Sequence, residues 1–241
     1  DHSIGRIPED TLYALECLKK KEIRVFTCTG RHILELDELG ISGLGFDGHV
    51  LLNGQLCLDR ERRVLAAVPI SSRDMEKIFP VFNEKRIPLS FVEKEKIYIN
   101  FINDQVRKAQ EDISSALPKT GSWQGAPVYL IVAFAGEETV AELMKYMPHC
   151  RTPRWNSYGV DIIAEGGGKE KGMEQMLARF SIKREEAIAF GDGENDMEML
   201  EYAGIGVAMG NADEKVRACA DYVTGDADKG GILSALRHFE I

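Results

Sequence analysis

A short apolar run, Ala187 to Phe190, leads into Gly191-Asp192-Gly193-Glu194-Asn195-Asp196, and a helix-like stretch, Met197 to Tyr202, follows directly. Strand, tight acidic loop and helix in that order point to an open α/β sheet, in which ligands sit at the carboxyl ends of strands. Asp192 and Asp196 supply hard oxygen ligands there, and Asn195 can give a neutral hydrogen bond between them, a combination suited to Mg2+ holding a phosphate. The glycines keep the turn open to such an approach. The same string also reads as an Asx-rich turn and helix N-cap, because Asp, Asn and Gly are common at both for local reasons. The rest of the chain decides between the two.

Two further strand ends carry anion chemistry. Ile23 to Cys28 is a β-branched and aromatic run that predicts a buried parallel strand, and it ends at Thr29-Gly30-Arg31 before Ile33-Leu34 open a helix. A hydroxyl, a glycine amide and an arginine at a strand end form an anion cradle, although hydroxyl-Gly turns are common in other settings. Val160 to Ala164 leads into Glu165-Gly166-Gly167-Gly168-Lys169-Glu170-Lys171-Gly172. A glycine-rich turn with lysine at a helix start offers an anion both a positive helix end and an ammonium. It is not a Walker A loop, since Glu170 stands where Ser or Thr should hold Mg2+; a flexible turn with solvated lysines is the plainer alternative.

Two other strings are decoys. Gly43-Leu44-Gly45-Phe46-Asp47-Gly48 has the spacing of a dinucleotide fingerprint, but a helical segment precedes it and strand-like His49 to Leu52 follows, so strand, loop and helix are in the wrong order. Cys28 and Arg31 lie too close together for a cysteine-phosphatase loop, and Cys28 is expected to be a buried small residue.

From Asn53-Gly54, a hairpin-type turn, the texture changes: short strand pairs alternate with helices, which indicates an α+β unit. Gln55 to Asp59, Arg62 to Val68, Leu89 to Val92, Lys96 to Phe101, Pro127 to Phe134 and His149 to Trp155 are the strands expected there. The boundaries expected are a first core segment over 1–53, an inserted domain over 54–157 and a second core segment over 158–241, beginning with the Val160 strand. Within the insert Trp123, Arg154 and Trp155 are candidates to face a substrate, with partial core burial favoured for the tryptophans.

The net charge of −9 argues against nucleic acid or an anionic membrane as a main partner. The five cysteines are odd in number, scattered, and never in a Cys-x-x-Cys pair, so neither a disulfide nor a zinc framework is expected and a reducing cytoplasm is the default compartment. No run approaches the ~18 apolar residues of a membrane span. The chain opens at Asp1-His2-Ser3 without a methionine, which leaves room for an upstream segment.

Thr29-Gly30, the Lys169/Lys171 turn and Asp192/Asp196 follow one another in the order and context of motifs II, III and IV of the haloacid dehalogenase-like phosphohydrolases. The chain resembles their Cof-type branch from Ile7 to the final helix, including Asn53-Gly54, Gly-Asp-x-x-Asn-Asp followed by Met-Glu-Met-Leu, and Val207-Ala208-Met209-Gly210-Asn211-Ala212. The resemblance implies an α/β, Rossmann-like parallel-sheet core with helices on both faces and an inserted α+β cap domain. It also implies a Mg2+-dependent phosphatase acting on a small phosphorylated metabolite, a sugar phosphate, through an aspartyl-phosphate. By position, Thr29, Gly30, Lys169 and Asn195 would bind phosphate, Lys169 and Asp196 would serve catalysis, and Asp192 and Asp196 would serve the metal, Asp196 through water or by orienting Lys169. Lys171, which precedes Gly172, is the alternative motif III lysine. Motif I, an Asp-x-Asp-Gly-Thr loop with the nucleophile and the acid/base, is not in the sequence and is expected before Asp1; the other expectation is a catalytically inactive phosphometabolite-binding relative.

Overall fold

The computed structural model describes residues 7–113, 115–156 and 158–241. In chain order its main elements are helix α1 (Glu9–Lys20), strand β1 (Phe26–Cys28), α2 (Ile33–Glu38), β2 (Gly48–Leu51), β3 (Leu56–Asp59), β4 (Val64–Ala67), α3 (Ser72–Asn83), β5 (Leu89–Val92), β6 (Ile97–Ile99) and α4 (Asp104–Asp112). They continue with β7 (Leu130–Ala133), α5 (Glu137–Met144), β8 (Cys150–Arg151), β9 (Arg154–Asn156), β10 (Gly159–Ala164), α6 (Lys169–Arg179), β11 (Ile188–Gly191), α7 (Met197–Tyr202), β12 (Ile205–Ala208), α8 (Glu214–Ala218), β13 (Tyr222–Val223) and α9 (Gly231–His238). No helix among the described residues is long and apolar enough to cross a membrane.

Asp1–Ala66 and Gly168–Ile241 form one contact unit and Ala67–Gly167 another. In the first unit β11, β12 and β13 form a parallel sheet, Ile188 opposite Ile205 and Gly191 opposite Ala208. Helix α7 packs on it through Met199 and Leu200, and α8 through Val216. That packing needs Gly206, because a Cβ there would overlap the Leu200 carbonyl. A second sheet of the same unit runs β1-β2-β3-β4, with β1 and β2 parallel and β2 and β3 antiparallel. Met176 of α6 covers it, against Val50 and Cys57. Both β1 and β11 end their sheets, with one edge unpaired among the described strands.

The second unit is an antiparallel sheet in the order β6-β5-β7-β10-β8, with β9 on β10. Leu89, Phe91, Ile131 and Ile162 from its strands pack with Ile78 of α3 and Leu143 of α5 in one buried cluster. Ser71 caps α3 by accepting the Asp74 N–H at 3.1 Å. Asn100 is buried with its carboxamide satisfied, donating to the Phe82 and Ile87 carbonyls and accepting the Leu89 and Phe101 amides.

The unit boundaries fall later than the sequence pattern set them. Gln55 to Asp59 and Arg62 to Val68, expected in the insert, supply β3 and β4 and extend the β1-β2 sheet, since the turn at Asn53 folds Leu56 back against Leu51. Val160 to Ala164, expected to resume the core, is β10 of the second unit, where Val160 and Ile162 pair with Ala133 and Ile131. An apolar β run reads alike in either sheet, and only pairing partners decide its unit. The single strand expected over His149 to Trp155 is two short ones on either side of Pro153, as a residue without an N–H donor dictates.

Gly54 has φ +84°, and a Cβ there would overlap the Gly168 carbonyl oxygen. Gly54→Ala is therefore expected to cost about 2 kcal/mol or more, read as a lower urea midpoint at unchanged m-value. A wild-type midpoint would refute the tight seating of this turn against the start of α6.

Candidate active site

Asp196 is the buried centre of the acidic loop, 5% exposed. It folds back under the end of β11 because Gly191 has no side chain; a Cβ there would lie 2.5 Å from that of Asp196. Its Oδ2 accepts the Asp192 and Gly193 amides, both at 3.0 Å, and its Oδ1 accepts Lys169 Nζ at 2.5 Å. Three donors, one of them cationic, hold this carboxylate in place, and charge-assisted bonds of this kind are the strong ones.

Lys169 opens α6 directly after Gly168 and is 8% exposed. Lys171, two residues on, lies on the exposed side of the same helix with Glu174 at 3.2 Å and Glu170 at 3.5 Å. Of the two candidate lysines, only Lys169 is brought to the acids. Asp192 is exposed, and its Oδ2 accepts Asn211 Nδ2 at 2.9 Å. Asn211 in turn accepts the Ala227 amide at 3.0 Å, so it ties that backbone to the Asp192 carboxylate.

Thr29 follows β1, its amide bonded to the Val50 carbonyl at 2.9 Å and its hydroxyl accepting the Arg31 amide at 3.1 Å. Beside it Gly30 lies under the carboxamide of Asn53, whose Oδ1 would be 3.1 Å from a Cβ on Gly30. The same Oδ1 accepts Asn195 Nδ2 at 2.9 Å. Asn53 thus ties the Thr29-Gly30 turn to the acidic loop, a role that sequence reasoning missed, taking it for a turn residue. The only signal available was an Asn-Gly pair after a strand-like run, which describes any hairpin turn equally well.

The arrangement offers a buried ammonium, a hydroxyl, a glycine amide and a carboxamide beside an exposed carboxylate. Among the described residues no three His, Cys, Asp or Glu side chains converge as a metal cage. Asp192 with water and a phosphate oxygen still fits Mg2+, which takes one or two carboxylates and keeps several waters, whereas both oxygens of Asp196 are engaged. Cys28, expected to be buried, is half-buried; desolvation pushes its thiol up to about 12, with the Lys169 charge opposing and the Asp196 charge adding. In the second unit Trp123 is half-buried, its Nε1 donating to the Ala126 carbonyl at 2.7 Å and its ring 5.2 Å from that of Phe79. The side chains of Arg154 and Trp155 lie outside the described residues.

Residues 2–236 match the sequence profile of the haloacid dehalogenase-like hydrolases. The chain is 35% identical to the subclass IIB sugar phosphatase BT4131, superposing with a TM-score of 0.85 over all of this chain and 94% of that one. It is 28% identical to the phosphatase BT1666 of Bacteroides thetaiotaomicron, with a TM-score of 0.87 over 98% of this chain and 88% of that one. It is also 33% identical over 122 residues to the Bacillus subtilis 5-amino-6-(5-phospho-D-ribitylamino)uracil phosphatase YitU, covering 48% of this chain and 45% of that protein.

Removing Asp196 strands a buried ammonium, so Asp196→Ala is expected to destabilise by about 3–5 kcal/mol in chemical denaturation, while Lys171→Ala leaves the midpoint in place. Comparable shifts from both would show that the Lys169 pair is not what holds the loop. The native Cys28 and Cys57 thiols, both pushed up to about 12, are expected to resist iodoacetamide at pH 8 and to label on unfolding. Because their folded pKa is raised, the stability they contribute is complete below the unfolded thiol pKa of about 8.5 and is lost as pH rises toward 12. Labelling of the native protein at pH 8 as fast as of the unfolded chain would contradict this.

Proposed function

The chain belongs to the haloacid dehalogenase-like hydrolases, and from that premise we propose that it is a Mg2+-dependent phosphatase of a small phosphorylated metabolite, a sugar phosphate. The observation that carries the reading is the pair of loops bridged by Asn53 and Asn195, with the Lys169–Asp196 ion pair beneath them. Hydrolysis of a phosphate monoester asks for positioning and for neutralisation of charge on the phosphoryl oxygens, and these residues are of the kinds that provide both.

In this reading the Lys169 ammonium neutralises the transferring group, the Thr29 hydroxyl and the Gly30 amide donate to its oxygens, and the Asn195 carboxamide bonds beside them. Asp196 holds Lys169 in place. Asp192 would hold Mg2+, which when bound supplies further charge neutralisation. The nucleophile is an aspartate of the family's motif I, ahead of Asp1. Its carboxylate bonds to phosphorus as the P–O bond to the sugar breaks, the sugar oxygen taking a proton from the acid/base aspartate of motif I; water, losing a proton to that same aspartate, then attacks phosphorus and frees phosphate and the nucleophile carboxylate, so one hard step becomes two easier ones. The likeness to a sugar phosphatase supports the substrate class.

The test is phosphate release from a panel of sugar phosphates by the protein with its upstream segment. Lys169→Ala is expected to lower kcat by about 10²-fold or more and Lys171→Ala by less than about twofold, and Asp192→Ala to abolish the Mg2+-dependent rate even at saturating metal. Retained activity in Asp192→Ala would remove it from the metal site, and the reverse ranking of the lysines would reassign the phosphate contact. Phosphate binding without turnover would leave a non-catalytic phosphometabolite-binding protein.

A further inference from the structure

Three consecutive residues after β2 are left-handed: Leu52 at φ +53°, Asn53 at φ +54° and Gly54 at φ +84°. A buried leucine in that region is a true outlier, and such strain persists only where the surroundings over-determine it. Here they do. The Leu52 amide bonds to the Arg31 carbonyl at 3.3 Å, the Asn53 amide to the Thr29 carbonyl at 3.1 Å, and Gly54 is pressed on Gly168, directly before Lys169. The middle position of such a turn is served at least steric cost by glycine. This chain instead places a carboxamide there, 4% exposed, where burial is costly unless the group is bonded. Its Oδ1 is bonded to the side chain of Asn195, on the exposed rim of the acidic loop.

We infer that Asn53 is a positioning residue: its backbone fixes the Thr29 turn, its neighbour Gly54 seats the start of α6, and its side chain holds Asn195, so that three separate loops share one register. The contacts stand by themselves; the catalytic consequence rests on the phosphatase reading. Without the carboxamide, Asn195 is an exposed side chain free to choose among rotamers, and a loop displaced by about 1 Å is enough to cost a large factor in rate.

The experiment compares Asn53→Gly, which keeps the left-handed backbone and removes the side chain, with Asn195→Ala, which removes the partner from an exposed position, and with the double variant. Amide hydrogen exchange is followed alongside phosphate release from p-nitrophenyl phosphate. Asn53→Gly is expected to melt within about 4 °C of wild type yet exchange its 192–196 amides about tenfold faster, with β12 unchanged. Asn195→Ala is expected to speed exchange at Asn53. In Asn53→Gly, kcat is expected to fall about tenfold with KM within about threefold, and the double variant to be no worse than the poorer single. Wild-type exchange at 192–196 in Asn53→Gly, or additive losses in the double variant, would overturn the inference. If the protein with its upstream segment releases phosphate neither from p-nitrophenyl phosphate nor from the sugar phosphates, the phosphatase reading fails while the exchange data still decide whether Asn53 couples the loops.

Discussion

The buried ion pair between Lys169 and Asp196 is the constraint around which the first unit is arranged. Two opposite charges withdrawn from water are tolerable only when the remaining lone pairs and protons are also bonded, and two backbone amides of the acidic loop complete the carboxylate. The pair therefore ties a helix start to a strand end 27 residues away in sequence. It also leaves a fixed positive centre under the loop. A lysine paired in this way does not have to be ordered when an anion arrives, which is the form of preorganisation that phosphoryl chemistry exploits.

Close backbone packing makes that geometry possible. A Cβ on Gly172 would overlap a Val50 methyl and lie 3.0 Å from Gly54 Cα, so α6 rests directly on β2 and on the turn that follows it. Gly191 lets Asp196 tuck beneath its strand by the same means. Glycine here is a matter of clearance between elements, with flexibility of the loops a lesser matter. Strain in the Leu52–Gly54 turn is held by the bonds on either side of it, as expected where backbone irregularity borders a site. The exposed face of the site is organised by carboxamides, with Asn211 on Asp192 and Asn53 on Asn195. Neutral side chains fix these groups without adding charge to the loop.

The second unit has its own antiparallel sheet and buried cluster. Its outline was legible as a change of texture, because strand pairs separated by helices differ from the strand-then-helix rhythm of an open α/β sheet. Its edges were not. The β3-β4 hairpin and β10 are short apolar runs without a periodicity that names their partners, and hydrogen bonding assigned the first to the β2 sheet and the second to β7.

What the amino-acid sequence determined by itself was local: strand-end loops rich in Gly, Asp, Asn and Thr, the helices that follow them, and thiols too scattered for a metal or disulfide framework. Those signals lie within a few residues of each other, where turn chemistry and capping act. Tertiary structure decided which of two lysines two residues apart reaches Asp196, since Lys169 and Lys171 have the same chemistry and differ only in the face of α6 they occupy. It also decided that Asn53 and Asn211 belong to the site, because a carboxamide's partner across 142 residues, as between Asn53 and Asn195, leaves no mark on the neighbouring sequence.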